Sequence, residues 1–475
     1  MRSSLARAAG AVVATAVTAS CAFTLATAPA SFTDATDTSL AVAASASFGL
    51  TPPAAATGCV SEDGSSGSCQ DGTALSAARA VAVSPDGASV YAAAYNSNAV
   101  AVFSRASSTG VLTQLAGTAG CVSANGSSGA CATLAALNGA TDLAVSPDGK
   151  HVYVAADSNP VLGFSRNAST GALTALSACG GPGVCWGTRA HYEPIGLTVS
   201  PDGANVYVVS SSSSILHVLA RDATTGVLTP LAGTAGCVSA TGSDGNSGGV
   251  CAVGIGMGGA SSVAVSPDGA SVYVTGKSDD TVAVFARNAS TGALTQLAST
   301  AGCVSETGSS GACVDGRALD GASDVVVSPD GSSVYVTSSF SNAVVVFARD
   351  ASTGALTQPA DTTGCVSETG SSGTCADGVA LVTAGAVVVS PDGEDVFVGS
   401  SGSSAVAVFW RTAATGALQQ ASSTRACVSQ SGTGGSCDTG RGLSGVAGLA
   451  VTADGADVYV AARTGHAVTL LTRLP

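Results

Sequence analysis

Charge is scarce in this chain. Only 10% of its 475 residues are Asp, Glu, Lys or Arg, and only 4% are aromatic. Lysine occurs only at Lys150 and Lys277, tryptophan twice and histidine four times. With a formal net charge of −14, so few cations leave no footprint for a phosphate backbone, which excludes a nucleic acid partner. They also leave no polybasic patch to hold an anionic membrane surface. His-Glu-x-x-His and phosphate-loop patterns are missing as well, so neither a metal nor a cofactor is expected. Gly, Ala, Ser, Thr and Val fill the chain instead. Small and β-branched residues suit strands and tight turns rather than long surface helices.

The first 30 residues read as an export signal: Arg2 and Arg7, an apolar run from Ala8 to Leu25, then Ala28-Pro29-Ala30 before Ser31. A membrane anchor is the rival reading, weakened by the Ala- and Thr-rich run. A lipid-modified Cys21 is another, weakened by the missing Leu three residues before it. Residues 31–47 read as a flexible linker. The mature chain is expected to be secreted, without a transmembrane anchor.

From residue 48 onward the chain repeats itself. Ser-Pro-Asp-Gly starts at Ser84, Ser146, Ser200, Ser266, Ser328 and Ser390, and the degenerate Thr452-Ala453-Asp454-Gly455 makes a seventh copy. The spacings are 62, 54, 66, 62, 62 and 62 residues. Each unit reads as four strands joined by turns. In one copy Asp324–Val327 is a strand and Pro329-Asp330-Gly331 a turn, Pro presetting φ and Gly accepting a positive one. Ser333–Val336, Ala343–Phe347 and a segment from Leu356 follow as further strands. Such units predict an all-β, seven-bladed propeller of four-stranded antiparallel blades. The last unit stops after its third strand, and Leu50-Thr51 followed by Gly58-Cys59-Val60-Ser61 supplies the missing fourth at the other end of the chain. The ring is therefore expected to close there, leaving no open edge. An open solenoid of the same units would not explain two partial units that add up to one.

Fourteen of the 15 cysteines form seven local pairs, one in each loop between successive units. Cys59 is matched with Cys69, Cys121 with Cys131, Cys179 with Cys185, and Cys237 with Cys251. Cys303 is matched with Cys313, Cys365 with Cys375, and Cys427 with Cys437. In an exported chain this reads as seven disulfides. Two-cysteine loops without a nearby His make poor zinc sites. Every third strand also ends in an arginine (Arg105, Arg166, Arg221, Arg287, Arg349, Arg411, Arg473), and every first turn carries an aspartate (Asp86, Asp148, Asp202, Asp268, Asp330, Asp392, Asp454). A repeated structural contact between them is expected, of the exposed kind that contributes little singly.

The core Val-x-Val-Ser-Pro-Asp-Gly…Val-Tyr-Val, with Val-Phe-x-Arg and Thr-Gly-x-Leu-Thr downstream, resembles the lactonase-like seven-bladed propellers and related YVTN-type repeats. That resemblance covers nearly all of 48–475. It implies the fold and permits lactone hydrolysis at the mouth of a central channel, but no catalytic motif transfers residue by residue.

A unique site should show as a departure from the repeat. Trp186 to Pro194 is the clearest, holding Arg189, His191 and Glu193 as candidates for acid–base chemistry. Trp186 and Tyr192 are candidate binding anchors there. Its bland reading is bulk filling a short disulfide loop. Asn98, Asn342 and His466, at equivalent turns, form part of a polar ring that could meet a ligand or simply face solvent. Near-perfect repetition favours a non-catalytic extracellular scaffold. Such a ring is expected to be monomeric and to present its stapled loops to an extracellular glycan, peptide or protein. The alternative is a lactonase-like hydrolase acting at the channel mouth.

Overall fold

The computed structural model describes residues 49–474, apart from 54, 158, 178–182, 187–192 and 245–249. The expected export signal, the linker and Cys21 lie outside these. The described residues form seven small sheets around one channel, with short 3-10 turns and no longer helix among them. No described helix is long and apolar enough to cross a membrane.

Each blade starts at the channel. Its first strand, for example Ala322–Val327, pairs antiparallel with the second, Ser333–Ser338, which pairs with the third, Ala343–Arg349. All six residues of the second strand are buried, because both of its faces pack against neighbouring blades. The expected fourth strand is split. Leu356–Thr357 and Cys365–Ser367 both pair with the third strand, and a short 3-10 turn at Thr362–Gly364 separates them. A two-residue parallel strand, Ala376–Asp377, lies outermost. Most blades therefore have six strand segments where a four-stranded unit was expected, and blade 2 has five.

The ring closes as the sequence predicts. Leu50–Thr51 and Cys59–Ser61 both pair antiparallel with the final strand, Ala467–Arg473. Six disulfides join the expected partners. Cys59 is bonded to Cys69, Cys121 to Cys131, and Cys237 to Cys251. Cys303 is bonded to Cys313, Cys365 to Cys375, and Cys427 to Cys437. Cys185 is also disulfide-bonded. Cys179, its expected partner, lies outside the described residues. The staples hold an uncommon backbone. Gly308, Ser309, Ser310 and Gly311 all have positive φ, a single left-handed turn, at a cost of about 1–2 kcal/mol for each serine. The bond between Cys303 and Cys313 closes the loop around it, and Ser309 Oγ donates to Ser305 Oγ at 2.9 Å.

The repeated Asp–Arg contact joins blades rather than sitting within one. Arg349 of blade 5 reaches back to blade 4, where its Nη2 donates to Asp268 at 2.8 Å and its Nε to Tyr273 Oη at 2.8 Å. Tyr273 Oη in turn donates to Gly354 O of blade 5 at 2.8 Å, so two side chains cross the seam in opposite directions. The same latch recurs round the ring, including Arg105 of blade 1 with Asp454 and Asp457 of blade 7. The expectation of an exposed, weak pair is corrected: the Arg349 side chain is only 1% exposed. The next blade seals the guanidinium, and only the carboxylate reaches water. Blade 6 has Phe397 in place of tyrosine, and Asp395 takes over as acceptor for Arg473 Nε at 2.5 Å. Arg221 of blade 3 meets His151 Nδ1 of blade 2 at 2.8 Å, where blades 1, 4 and 5 offer serine, blade 3 Asn205, and blades 6 and 7 an aspartate.

Replacing Arg349 by Met would leave Tyr273 and Asp268 without their buried donor. We expect a loss of about 2–4 kcal/mol from the urea unfolding free energy, somewhat under a fully buried pair because the carboxylate is partly wet. An unchanged midpoint would show that the latch is not stabilising.

Candidate functional site

The latches occupy the face where first and second strands turn. The opposite face carries the disulfide loops, the turns between second and third strands, and the channel mouth. A second set of blade-to-blade bonds holds this face. Asn98 Oδ1 accepts from Gly139 N at 2.8 Å, Asn342 Oδ1 from Thr383 N at 2.7 Å and His466 Nδ1 from Ala77 N at 2.8 Å. Ser214, Asp280 and Ser404 accept equivalent bonds. Among the described residues, six members of the expected polar ring spend these acceptors on tying one blade to the next.

The other expected candidates contribute little that can be placed. Arg189, His191 and Tyr192 lie outside the described residues, as does the side chain of Trp186. Glu193 is exposed, with φ of +31°, immediately before the innermost strand of blade 3.

Two positions at the mouth break the sevenfold pattern. The second residue of each innermost strand is small or apolar except in blade 1, which has Arg79; the others are Thr141, Ile195, Ser261, Ser323, Gly385 and Ala447. The residue following each second strand is Tyr95, Asp157, Ser211, Lys277, Ser339, Ser401 or Arg463. Arg79, Lys277 and Arg463 line one cavity of about 360 Å³, and Lys277 and Arg463 extend along an adjoining one of about 620 Å³. Sequence reasoning missed these residues, although lining the seven units up at this position would have exposed them.

None of these three cations makes an ion pair among the described residues. The Arg79 guanidinium stacks 3.6 Å from the Tyr95 ring centre, and Tyr95 Oη donates to Asp157 Oδ2 at 2.7 Å. Gly139 makes this close packing feasible, since a Cβ there would lie 2.7 Å from Asp157 Cβ and 3.0 Å from Tyr95 Cε2. Arg79 Nε is buried without a hydrogen-bond acceptor, an orphan donor that calls for a partner. Burial and the neighbouring Arg463 charge lower the Arg79 pKa, and burial lowers that of Lys277. Arg79 and Lys277 are half-buried and Arg463 is exposed; Asp157 offsets part of the Arg79 charge, and none of the three makes an ion pair among the described residues, which favours an anionic guest.

Below the mouth, Asp142 and Asp324 line the channel. Asp142 Oδ2 accepts from Leu197 N of blade 3 at 2.8 Å, and Asp324 Oδ2 accepts from Val387 N of blade 6 at 2.9 Å. Ser262 Oγ donates to Asp324 Oδ1 at 2.6 Å. Burial pushes the Asp142 carboxyl up to about 7, against the donors Leu197 N and Leu143 N and with the Asp324 charge adding to the rise. Asp324 is also raised by burial. No group of residues able to hold a metal ion occurs among the described residues. His217 is buried in the third strand of blade 3, and burial pushes its pKa down to about 3, away from acid–base work at neutral pH.

The chain has recognisable relatives. The family model described as Lactonase, 7-bladed beta-propeller matches residues 124–241, 263–365 and 305–430, together more than half of the chain. A Bacteroides fragilis structure with the provisional name 6-phosphogluconolactonase is 20% identical, with a TM-score of 0.51, covering 72% of this chain and 82% of that one. Hydrazine synthase of Kuenenia stuttgartiensis is 17% identical, with a TM-score of 0.51, covering 84% and 97%. At such identities these two show the fold alone. None of the curated proteins compared matches the chain. The expectation of a non-catalytic scaffold is corrected by the family match. Repetition argued against a specialised pocket, yet single substitutions at strand ends build one without disturbing the repeat.

Asp142 gives a signature in stability. Its folded pKa, about 7, lies above the ordinary 3.8. Its contribution is therefore full below pH 3.8 and is lost as pH rises through about 7. The urea midpoint is expected to decline across that window and to flatten there in Asp142→Asn. A decline of unchanged size in the variant would assign the titration to another group.

Proposed function

We propose that this chain, which belongs to the lactonase family of seven-bladed β-propellers, hydrolyses a lactone bearing an anionic group at the mouth of its central channel. The observation that carries this reading is the convergence of Arg79, Lys277 and Arg463, without ion-pair partners among the described residues, in a chain of net charge −14. One developing oxyanion needs one or two donors. Three cations leave charge to spare for an anion that the substrate itself brings.

In this reading Lys277 and Arg463 hold the substrate's anionic group, and the Arg79 guanidinium meets the carbonyl oxygen. Tyr95 and Asp157 fix the Arg79 plane and act as positioning residues. Asp142 is the general base, its raised pKa suiting proton transfer near neutrality. Its carboxylate takes a proton from water, and the hydroxide adds to the carbonyl carbon. The ring C–O bond then breaks, and the leaving alkoxide recovers the proton. Asp142 must be ionised for this, so activity rises with pH through about 7. The cations at the mouth stabilise the negative charge that water addition creates and the carboxylate left once the product acid gives up its proton to solvent.

Residues 1–30 as export signal, 31–47 as linker and 48–475 as the propeller is the organisation we propose, with an extracellular setting. The disulfides support that setting, since such bonds persist where the environment is oxidising. An external location also disfavours sugar-phosphate lactones, which are cytoplasmic, and favours carboxylated ones.

The oxidised protein is expected to hydrolyse 5-oxotetrahydrofuran-3-carboxylate in preference to γ-butyrolactone. Lys277→Met and Arg463→Met should each raise its KM by about 10- to 100-fold, the loss of a charge-assisted contact. A preference for the neutral lactone, or an unchanged KM in both variants, would refute the anionic assignment.

A further inference from the structure

One side of the mouth is apolar. Phe340, in the turn after the second strand of blade 5, is 66% exposed, and Val382, just before the innermost strand of blade 6, is 39% exposed. Both depart from the repeat. Where blade 5 has Phe340 the other blades have Asn96, Ser158, Ser212, Ser278, Gly402 and Thr464. Where blade 6 has Val382, five others have Ser76, Asn138, Gly258, Asp320 and Ser444, and blade 3 has Tyr192, outside the described residues. Gly402 leaves room for this valine, since a Cβ there would lie 2.7 Å from Val382 Cγ1.

These side chains adjoin the cation cluster. Lys277 Nζ sits 5.6 Å from the Phe340 ring centre. Ser339 and Thr383, next to Phe340 and Val382 in the chain, line the 620 Å³ cavity together with Lys277 and Arg463. A carboxylate held by Lys277 would therefore bring whatever it carries against an exposed aromatic face. Exposed phenylalanine adjoining an anion site gains by being covered, because the ligand removes its apolar surface from water.

We propose that Phe340 and Val382 form a subsite for an aromatic or alkyl substituent, so that the preferred substrate joins an anion to an apolar group. The inference rests on the anionic-lactone reading and narrows it. Phe340 determines specificity and takes no part in bond making or breaking.

The test compares two probes, butanoate and 4-phenylbutanoate, titrated against the full oxidised chain by ligand-observed NMR. 4-Phenylbutanoate is expected to bind about tenfold more tightly, the effect of covering part of one aromatic ring. In Phe340→Ser, which restores the residue of blades 2, 3 and 4, the ratio of the two affinities should fall to near one. Val382→Ser should lower it less. Equal affinities in the unaltered protein, or a ratio that survives both substitutions, would overturn the subsite while leaving the anion site standing. Binding of both probes that persists in a Lys277→Met, Arg463→Met double variant, or binding of neither probe to the unaltered protein, would overturn the anionic reading and the subsite with it.

Discussion

A guanidinium sealed between two blades is the contact on which the ring is built. Each small sheet has too little core to stand alone, and its second strand is apolar on both faces, so it is stable only when flanked. Apolar packing sets no register between blades. The latch does: a planar cation meets a carboxylate, a tyrosine hydroxyl and a glycine carbonyl at fixed positions, while the tyrosine bonds back across the seam. Blade 6 lacks the tyrosine hydroxyl at Phe397, and there Asp395 accepts from Arg473, as Asp457 accepts from Arg105 in blade 7 beside a retained Tyr459. Six side-chain acceptors on the other face, His466 among them, make a second ring of bonds.

With both rims tied by repeated contacts, the residues that face the channel mouth are free to differ. Arg79, Tyr95, Asp157, Lys277 and Arg463 occupy places where other blades have small or uncharged side chains, and none of them belongs to a latch. Their electrostatics follow from sparseness. A chain with only two lysines and few arginines beyond the latches places three cations around one cavity and withholds ion-pair partners from them among the described residues. Burial lowers the pKa of two of these cations and raises the carboxyls of Asp142 and Asp324 beneath them. Acid and base character are thereby shifted towards neutrality in one channel.

The fold was legible because it is written seven times. The Ser-Pro-Asp-Gly tags gave the blade count, Leu50-Thr51 with Cys59 gave the seam, and one pair of cysteines per loop gave the staples. What the repeat concealed was the direction of each contact in space. Nothing in the spacing of Asp268 and Arg349 says that the arginine belongs to the following blade, nor that its neighbour buries it. The site was less legible for a related reason. Rare residues crowd together at 186–194 and stand out in a linear reading, whereas the mouth is assembled from single substitutions hundreds of residues apart. Lys277 and Arg463 look ordinary in a linear reading. They become conspicuous only when all seven units are superposed at the end of the second strand.

In the proposed site the three cations hold the anion of the ligand. A crystal structure of the oxidised protein soaked with 4-hydroxybutanoate, the hydrolysis product of γ-butyrolactone, tests it most directly. The account predicts the carboxylate at the mouth, within hydrogen-bonding reach of Lys277, Arg463 or the Arg79 guanidinium. A carboxylate bound instead beside residues 187–192, with the mouth filled only by water, would contradict it.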